Sequence, residues 1–191
     1  KESDIILVFK DQEPYALKVY HIGRTSFRNI YRKRLFFFER KWSSWLHACY
    51  LAAKREYEVT KEIMNKGVPT TRPMVWNRST ILFEYLENVK ELGRVVLKDP
   101  ETIFYNVLKD YAKVVNELGI VHGDFNVFNV LITEDQEKYY IIDWGQYLET
   151  KDPGSKDILR KEIEEFVDFF QRKYRLKIDE SEIYSMFNVL R

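Results

Sequence analysis

Apolar positions follow two rhythms along the chain. Residues 5–9 (IILVF) and 15–20 (YALKVY) are short β-branched and aromatic runs; the polar KDQEP between them predicts a hairpin. Residues 47–66 carry apolar side chains at helical spacing, and Gly67 supplies the stop. The prolines of VPTTRP predict a loop, and the runs at 73–76 and 80–86 flank an NRS turn as a second hairpin. ETIFYNVLKDYAKVVNEL at 101–118 is amphipathic and ends at Gly119. Strands are expected at 120–121, 130–132 and 139–143, with Asp143 closing the last, and helices at 155–173 and 180–190. The order predicts an α+β fold, with a sheet-rich lobe, then a helical lobe, joined near residues 84–91.

The 191 residues are 45% apolar and 32% charged, enough to bury a core in one domain of two small lobes. A net charge of +1 excludes a uniformly basic coat. The single Cys49 excludes an internal disulfide, and a reducing, cytoplasmic setting is the default. No run approaches a membrane span, and KESDIILVF does not read as a signal peptide. The chain opens on Lys1 rather than Met, just ahead of a strand, and reads as part of something longer.

The chemistry is concentrated in HGDFNVFNVLI at 122–132 and IIDWG at 141–145. Asp124 and Asn129 stand five apart in a loop between a helix and a strand, and Asp143 follows the next strand. This is the H-x-D-x-x-x-x-N … D-x-G arrangement of kinase-like phosphotransferases. One carboxylate orients or deprotonates the attacking oxygen, or is itself the nucleophile. An amide oxygen and a second carboxylate suit Mg²⁺ on ATP phosphates. Gly145 is expected to let the backbone turn away after the metal ligand. Upstream, Lys18 in YALK sits where such enzymes place a phosphate-pairing lysine, and Glu56 on the next helix is its partner. A capped turn or surface charge would explain any one of these residues alone; it does not explain their joint order. His122 is read as a support for the loop rather than a metal ligand, and Cys49 as a buried small hydrophobe.

These residues resemble the RIO family of atypical serine/threonine protein kinases, in its RIO-two type. ALKVYHIGRTSFRNI at 16–30, SSWL at 43–46, the VP…RP loop at 68–73 and HGDFNVFN followed by IID carry the likeness in order. The resemblance implies a bilobal protein-kinase-like fold over 1–191, with an N-lobe of about 1–86 and a C-lobe of about 87–191. It also implies loop glycines and a winged-helix domain ahead of Lys1. By the same resemblance Ser3 would bind phosphate, and Ile5, Ala16, Leu131 and Ile142 would sandwich the adenine. Glu84 and Leu86 would present hinge backbone groups in front of Phe83. Lys18 would contact phosphates, Asp124 would be catalytic, and Asn129 and Asp143 would hold Mg²⁺ or Mn²⁺. The chain departs from the family in IDWGQ, where Trp144 and Gly145 change the turn, and in Lys161-Glu162, where the family carries Arg-Asp.

Forty-eight residues follow Asp143, with no A-P-E and no long activation loop, so a compact C-lobe lacking a peptide-binding region is expected. Position 123 is Gly, where regulated kinases place an Arg. That tilts the reading toward ATP hydrolysis or self-phosphorylation as a switch, with Asp124 able to form an aspartyl-phosphate. A small-molecule phosphotransferase of the aminoglycoside-kinase type is the alternative, favoured by Trp144. A pseudokinase-like binding module is the third.

Residues 24–45 hold seven basic side chains, one acid and seven aromatics, leaving the rest of the chain net acidic. Arg24, Arg28, Arg32, Lys33 and Arg34 are candidate RNA contacts, with aromatic faces for stacking. Aromatics packed on the following helix beneath solvated charges are the plainer explanation. The resemblance implies ribosomal RNA in a precursor of the small subunit; separately, a monomer is expected. Ser26, flanked by Arg24 and Arg28, is a candidate autophosphorylation site or an ordinary cap serine.

Overall fold

The first hairpin forms as the alternation demands. In the computed structural model, which describes residues 3–21 and 45–190, β1 (Ser3–Lys10) pairs antiparallel with β2 (Glu13–Tyr20). Asp11 and Gln12 carry the chain round at positive φ. The sheet order is β1-β2-β4-β3, with β3 (Pro73–Asn77) and β4 (Thr80–Glu84) as the second hairpin. Pro73 opens an edge strand, where its missing N–H breaks no inner ladder. Helix α1 (Trp45–Asn65) supplies Cys49 and Ala53 to a cluster with Tyr20, Ile81 and Phe83. Small residues on the helix leave room for the sheet's aromatics. The chain divides into two compact units, one of Lys1–Lys61 with Thr71–Tyr85 and one of Glu62–Thr70 with Leu86–Arg191.

The second unit is built on two amphipathic helices. In α2 (Pro100–Leu118) the Asp99 side chain accepts from the Thr102 amide at 3.0 Å, Pro100 takes the first turn, and Gly119 closes the helix at φ 67°. Its apolar stripe of Phe104, Val107, Leu108, Tyr111, Val114 and Val115 is buried. In α3 (Ser155–Tyr174) the matching face is Leu159, Ile163, Phe166, Val167 and Phe170, with one acid among them, Glu162. Rings join the two: Phe104 stacks on Phe166 at 5.9 Å, and Phe125, from the loop after α2, lies 4.2 Å from Tyr111 and 4.9 Å from Phe166. Four short strands and a further one complete the unit: β5 (Val89–Glu91), β6 (Ile120–Val121), β7 (Val130–Thr133), β8 (Tyr139–Ile141) and β9 (Leu148–Glu149). They pair as β5-β7-β8 and β6-β9.

Three expectations need correction. The helix predicted over 180–190 is α4 (Glu180–Ser185) followed by a separate 3-10 turn, Asn188–Leu190. Asn116 on α2 causes the break: its amide donates to the Met186 carbonyl at 2.7 Å and its Oδ1 accepts from the Asn188 amide at 2.8 Å. Tertiary partners thus replace the next helical hydrogen bonds, while Phe187 is buried against Tyr111. The last strand ends at Ile141 rather than Asp143. The turn after it uses a left-handed Asp143 at φ 64°; Gly145 sits inside the 3-10 turn Trp144–Gln146 and its freedom is not drawn upon.

Candidate active site

Lys18 is placed by strand alternation. It shares a face of β2 with Tyr20, and both are buried. Its Nζ lies 2.8 Å from Glu56 Oε1, with side chains 6% and 2% exposed. Tyr20 donates its hydroxyl to Glu56 Oε2, and the Lys18 ammonium lies 5.2 Å from the Tyr20 ring centroid. Removing either charge would strand the other in a dry setting, so this pair fixes where one cation stands. Tyr20 was not singled out by sequence reasoning; its i+2 spacing from Lys18 is the signal that would have found it.

The other expected nucleotide residues of this unit lie on the same sheet. Ser3 opens β1 opposite Tyr20, Ile5 pairs with Lys18, and Ala16 pairs with Phe83. Ile5 is 63% exposed. The Glu84 amide donates to the Arg72 carbonyl at 3.0 Å, and the Arg72 amide donates to the Glu84 carboxylate at 2.8 Å. Leu86, Asp124, Asn129, Leu131, Ile142 and Asp143 belong to the second unit. Arg24, Ser26, Arg28, Arg32, Lys33 and Arg34 lie outside the described residues.

In the second unit, the H-G-D loop is fastened at each residue. His122 is fully buried. One ring nitrogen, Nε2, sits 2.9 Å from the Ile142 carbonyl, and Nδ1 lies 3.3 Å from the Asp124 amide. A carbonyl can only accept and an amide N–H can only donate, so these partners select the neutral tautomer with its proton on Nε2. The imidazole thereby ties the Asp124 residue to the backbone just before Asp143. Gly123 has φ 85°, and a Cβ there would stand 2.1 Å from the Gln146 carbonyl oxygen. No side chain fits.

Asp124 is oriented by two asparagines. Asn126 donates Nδ2 to the Asp124 carbonyl at 2.9 Å and to Oδ1 at 3.4 Å, while its own Oδ1 accepts from the Phe128 amide. Asn129 donates Nδ2 to the same carbonyl at 2.8 Å and to Oδ2 at 3.2 Å. With its nitrogen so engaged, Asn129 keeps Oδ1 as the atom for a cation. The Ile142 amide donates to the Asn129 carbonyl at 2.9 Å, continuing the β7–β8 ladder. Asn129 and Asp143 are therefore drawn together by main-chain pairing. Among the described residues no group of three His, Cys, Asp or Glu could hold a metal. A carboxylate with an amide oxygen is still a hard-oxygen donor set, and it suits Mg²⁺, which takes few protein ligands and relies on phosphate and water for the rest. Sequence reasoning passed over Asn126; no spacing rule marks it.

Glu162, where the family carries Asp, supports the loop with both carboxylate oxygens. Its Oε1 accepts from the Phe125 amide at 2.8 Å and its Oε2 from the Tyr111 hydroxyl at 2.5 Å. Burial pushes this carboxyl up to about 7, against the pull of the Tyr111 and Phe125 hydrogen bonds, and the Asp124 charge adds to the rise. Trp144, the residue that favoured a small-molecule acceptor, is 1% exposed, donates Nε1–H to the Ile141 carbonyl and packs 4.5 Å from His122. It fills the core behind the loop.

A model of the RIO domain matches residues 5–183. The chain belongs to the RIO domain family. The Rio2 kinase of Schizosaccharomyces pombe is 30% identical over 180 residues, covering 94% of this chain and 52% of that protein. A RIO-type serine/threonine-protein kinase Rio2 of Methanocaldococcus jannaschii is 30% identical over 189 residues, covering 96% of this chain and 68% of that one. The crystal structure of the Rio2 kinase of Chaetomium thermophilum, an ADP/Mg²⁺-phosphoaspartate complex, aligns with a TM-score of 0.73 at 25% identity, over 98% of this chain and 59% of that one. This RIO domain therefore has the α+β fold of the Rio2 type that its motifs resemble. It spans about half the length of the fission-yeast relative. Among the described residues no helix is long and apolar enough to cross a membrane.

Proposed function

We propose that this RIO domain is an ATP- and Mg²⁺-dependent serine kinase and ATPase that works as a switch. The observation that carries the reading is the Asp124 carboxylate, held at both oxygens by Asn126 and Asn129 on a loop fastened to the approach of Asp143. Lys18, fixed by Glu56, would pair with phosphate oxygens. Asn129 and Asp143 would hold Mg²⁺, with Mn²⁺ the closest substitute. The cation supplies neutralisation of charge on the transferring phosphate. Asp124 then has two uses. As a base it orients and deprotonates an attacking hydroxyl. As a nucleophile it forms an Oδ–phosphorus bond while the bond to the bridging oxygen breaks, ADP leaves with the electron pair, and water later hydrolyses the acyl phosphate. The Chaetomium Rio2 complex with ADP, Mg²⁺ and phosphoaspartate supports the second use.

Incubation with γ-labelled ATP tests this. Free phosphate and a hydroxylamine-labile protein label are expected, with phosphoserine as the stable product and Ser26 as its candidate site. A folded protein that releases no phosphate and takes up no label overturns the reading.

The proposed setting is the maturation of the small ribosomal subunit, in the cytoplasm, with pre-ribosomal RNA as partner and a monomeric enzyme. The basic and aromatic content of residues 24–45 supports it. Replacing Arg32, Lys33 and Arg34 by Ala is expected to weaken binding to structured RNA and to flatten log affinity against log salt by roughly 0.7 to 0.9 per lost phosphate contact. An unchanged salt slope would return the segment to an ordinary solvated surface.

A further inference from the structure

Tyr111 carries an oxygen that packing does not require. Its ring is fully buried on the apolar stripe of α2, stacked 4.2 Å from Phe125 and edge-on to Phe187 at 5.7 Å. A phenylalanine would fill the same space. The hydroxyl instead works in two directions: it donates to Glu162 Oε2 at 2.5 Å and accepts from the His122 amide at 3.0 Å. Glu162 in turn receives the Phe125 amide at 2.8 Å on its other oxygen, Oε1. One phenol and one carboxylate thus receive the main-chain N–H groups of residues 122 and 125, on both sides of Asp124. The proposed function does not use Tyr111.

We propose that Tyr111 is a positioning residue, whose hydroxyl bridges the His122 amide to Glu162 and keeps that carboxylate free to accept the Phe125 amide of the loop presenting Asp124. This rests on the reading of Asp124 as the reacting carboxylate. The chemistry follows from donor counting. An ionised carboxylate can only accept, and takes the Tyr111 hydroxyl on Oε2 and the Phe125 amide on Oε1; a protonated one carries a donor of its own, which competes with the Tyr111 O–H for the same contact. Burial and the neighbouring Glu162 charge hold the Tyr111 phenol well above its usual range, so it remains the donor.

The surroundings of Glu162 keep the assignment simple. From α2 the ionisable group facing it is Tyr111, and from the loop they are His122 and Asp124. Strand β6 brings Ile120 and Val121, and the neighbouring buried side chains of its own helix are Leu159, Ile163 and Phe166. The Tyr111 hydrogen bond favours the ionised carboxylate, so its removal raises the pH at which Glu162 loses its proton. Activity that needs ionised Glu162 then acquires an acid limb displaced to higher pH. A rise of about one pH unit would lower kcat about fivefold near pH 7, restored at alkaline pH, with KM for ATP unchanged.

The test follows the backbone amide resonances of His122 and Phe125 by NMR across about pH 5 to 9, in the wild type, Tyr111→Phe and Glu162→Gln. ATP turnover is measured over the same range. Expected are a wild-type midpoint near neutrality, a higher midpoint in Tyr111→Phe matched by its acid limb, and no such midpoint in Glu162→Gln. Coincident midpoints in wild type and Tyr111→Phe overturn the proposal. So do wild-type amides that do not titrate, an outcome that needs no variant to fold. A wild type that titrates as expected but turns over no ATP defeats the functional reading and leaves the Tyr111 bridge supported.

Discussion

Asp124→Asn is expected to slow ATP turnover by about 10³-fold with little change in KM for ATP, as befits a group used in the chemical step. The substitution is gentle on the loop. Its Oδ1 can turn toward Asn129, replacing the 3.2 Å contact, and the new amino group then faces the long 3.4 Å contact from Asn126. Both asparagines keep their hydrogen bonds to the Asp124 carbonyl, which the change does not touch. The decisive measurement is the chemistry of the label. Hydroxylamine-labile phosphate should vanish in Asp124→Asn, since an amide neither attacks phosphorus nor takes a proton at neutral pH. A labile label that persists in the variant would place the nucleophile elsewhere.

Asp143→Asn is expected to lower turnover by at least about 10²-fold and to raise the Mg²⁺ concentration giving half-maximal rate, because the charged ligand becomes a neutral one. Asn is the informative replacement. Asp143 holds φ 64°, a conformation that Asp and Asn tolerate but that would strain Ala by roughly 1 to 2 kcal/mol. The alanine variant would therefore mix backbone strain with loss of the ligand. Near-wild-type turnover with an unshifted Mg²⁺ requirement in Asp143→Asn would remove Asp143 from the metal site.

The periodicities carried the secondary structure far. Alternation in YALKVY put Lys18 on a buried face, and the helical stripe of 101–118 gave α2 with its glycine stop. Local pattern failed where a distant side chain intervened. Asn116 divides what reads as one helix over 180–190, from about 70 residues away. The strand β5 is three residues long, and its existence depends on β7 rather than on its own composition. Around the loop, the motif residues could be named from spacing, but their fastening could not. Glu162 lies 37 positions from the Phe125 amide that it accepts, and Tyr111 reads as one more apolar member of a stripe. Asp143 shows the same limit: its identity was legible, while its left-handed backbone, next to an Ile142 bonded to both Asn129 and His122, was not.

Gly123 bears on the evolutionary routes open to such a loop. Kinases switched by activation-loop phosphorylation carry an arginine at this place in the motif. Here a Cβ would collide with the Gln146 carbonyl, and the backbone is left-handed as well. An arginine could be accommodated there after the 3-10 turn Trp144–Gln146 had moved, and that turn directly follows Asp143. Phosphorylation-gated control is thus separated from this fold by coordinated change in two segments, not by one substitution. Lineages that keep this turn are expected to keep the glycine, and to place their control in partners or in the nucleotide cycle itself.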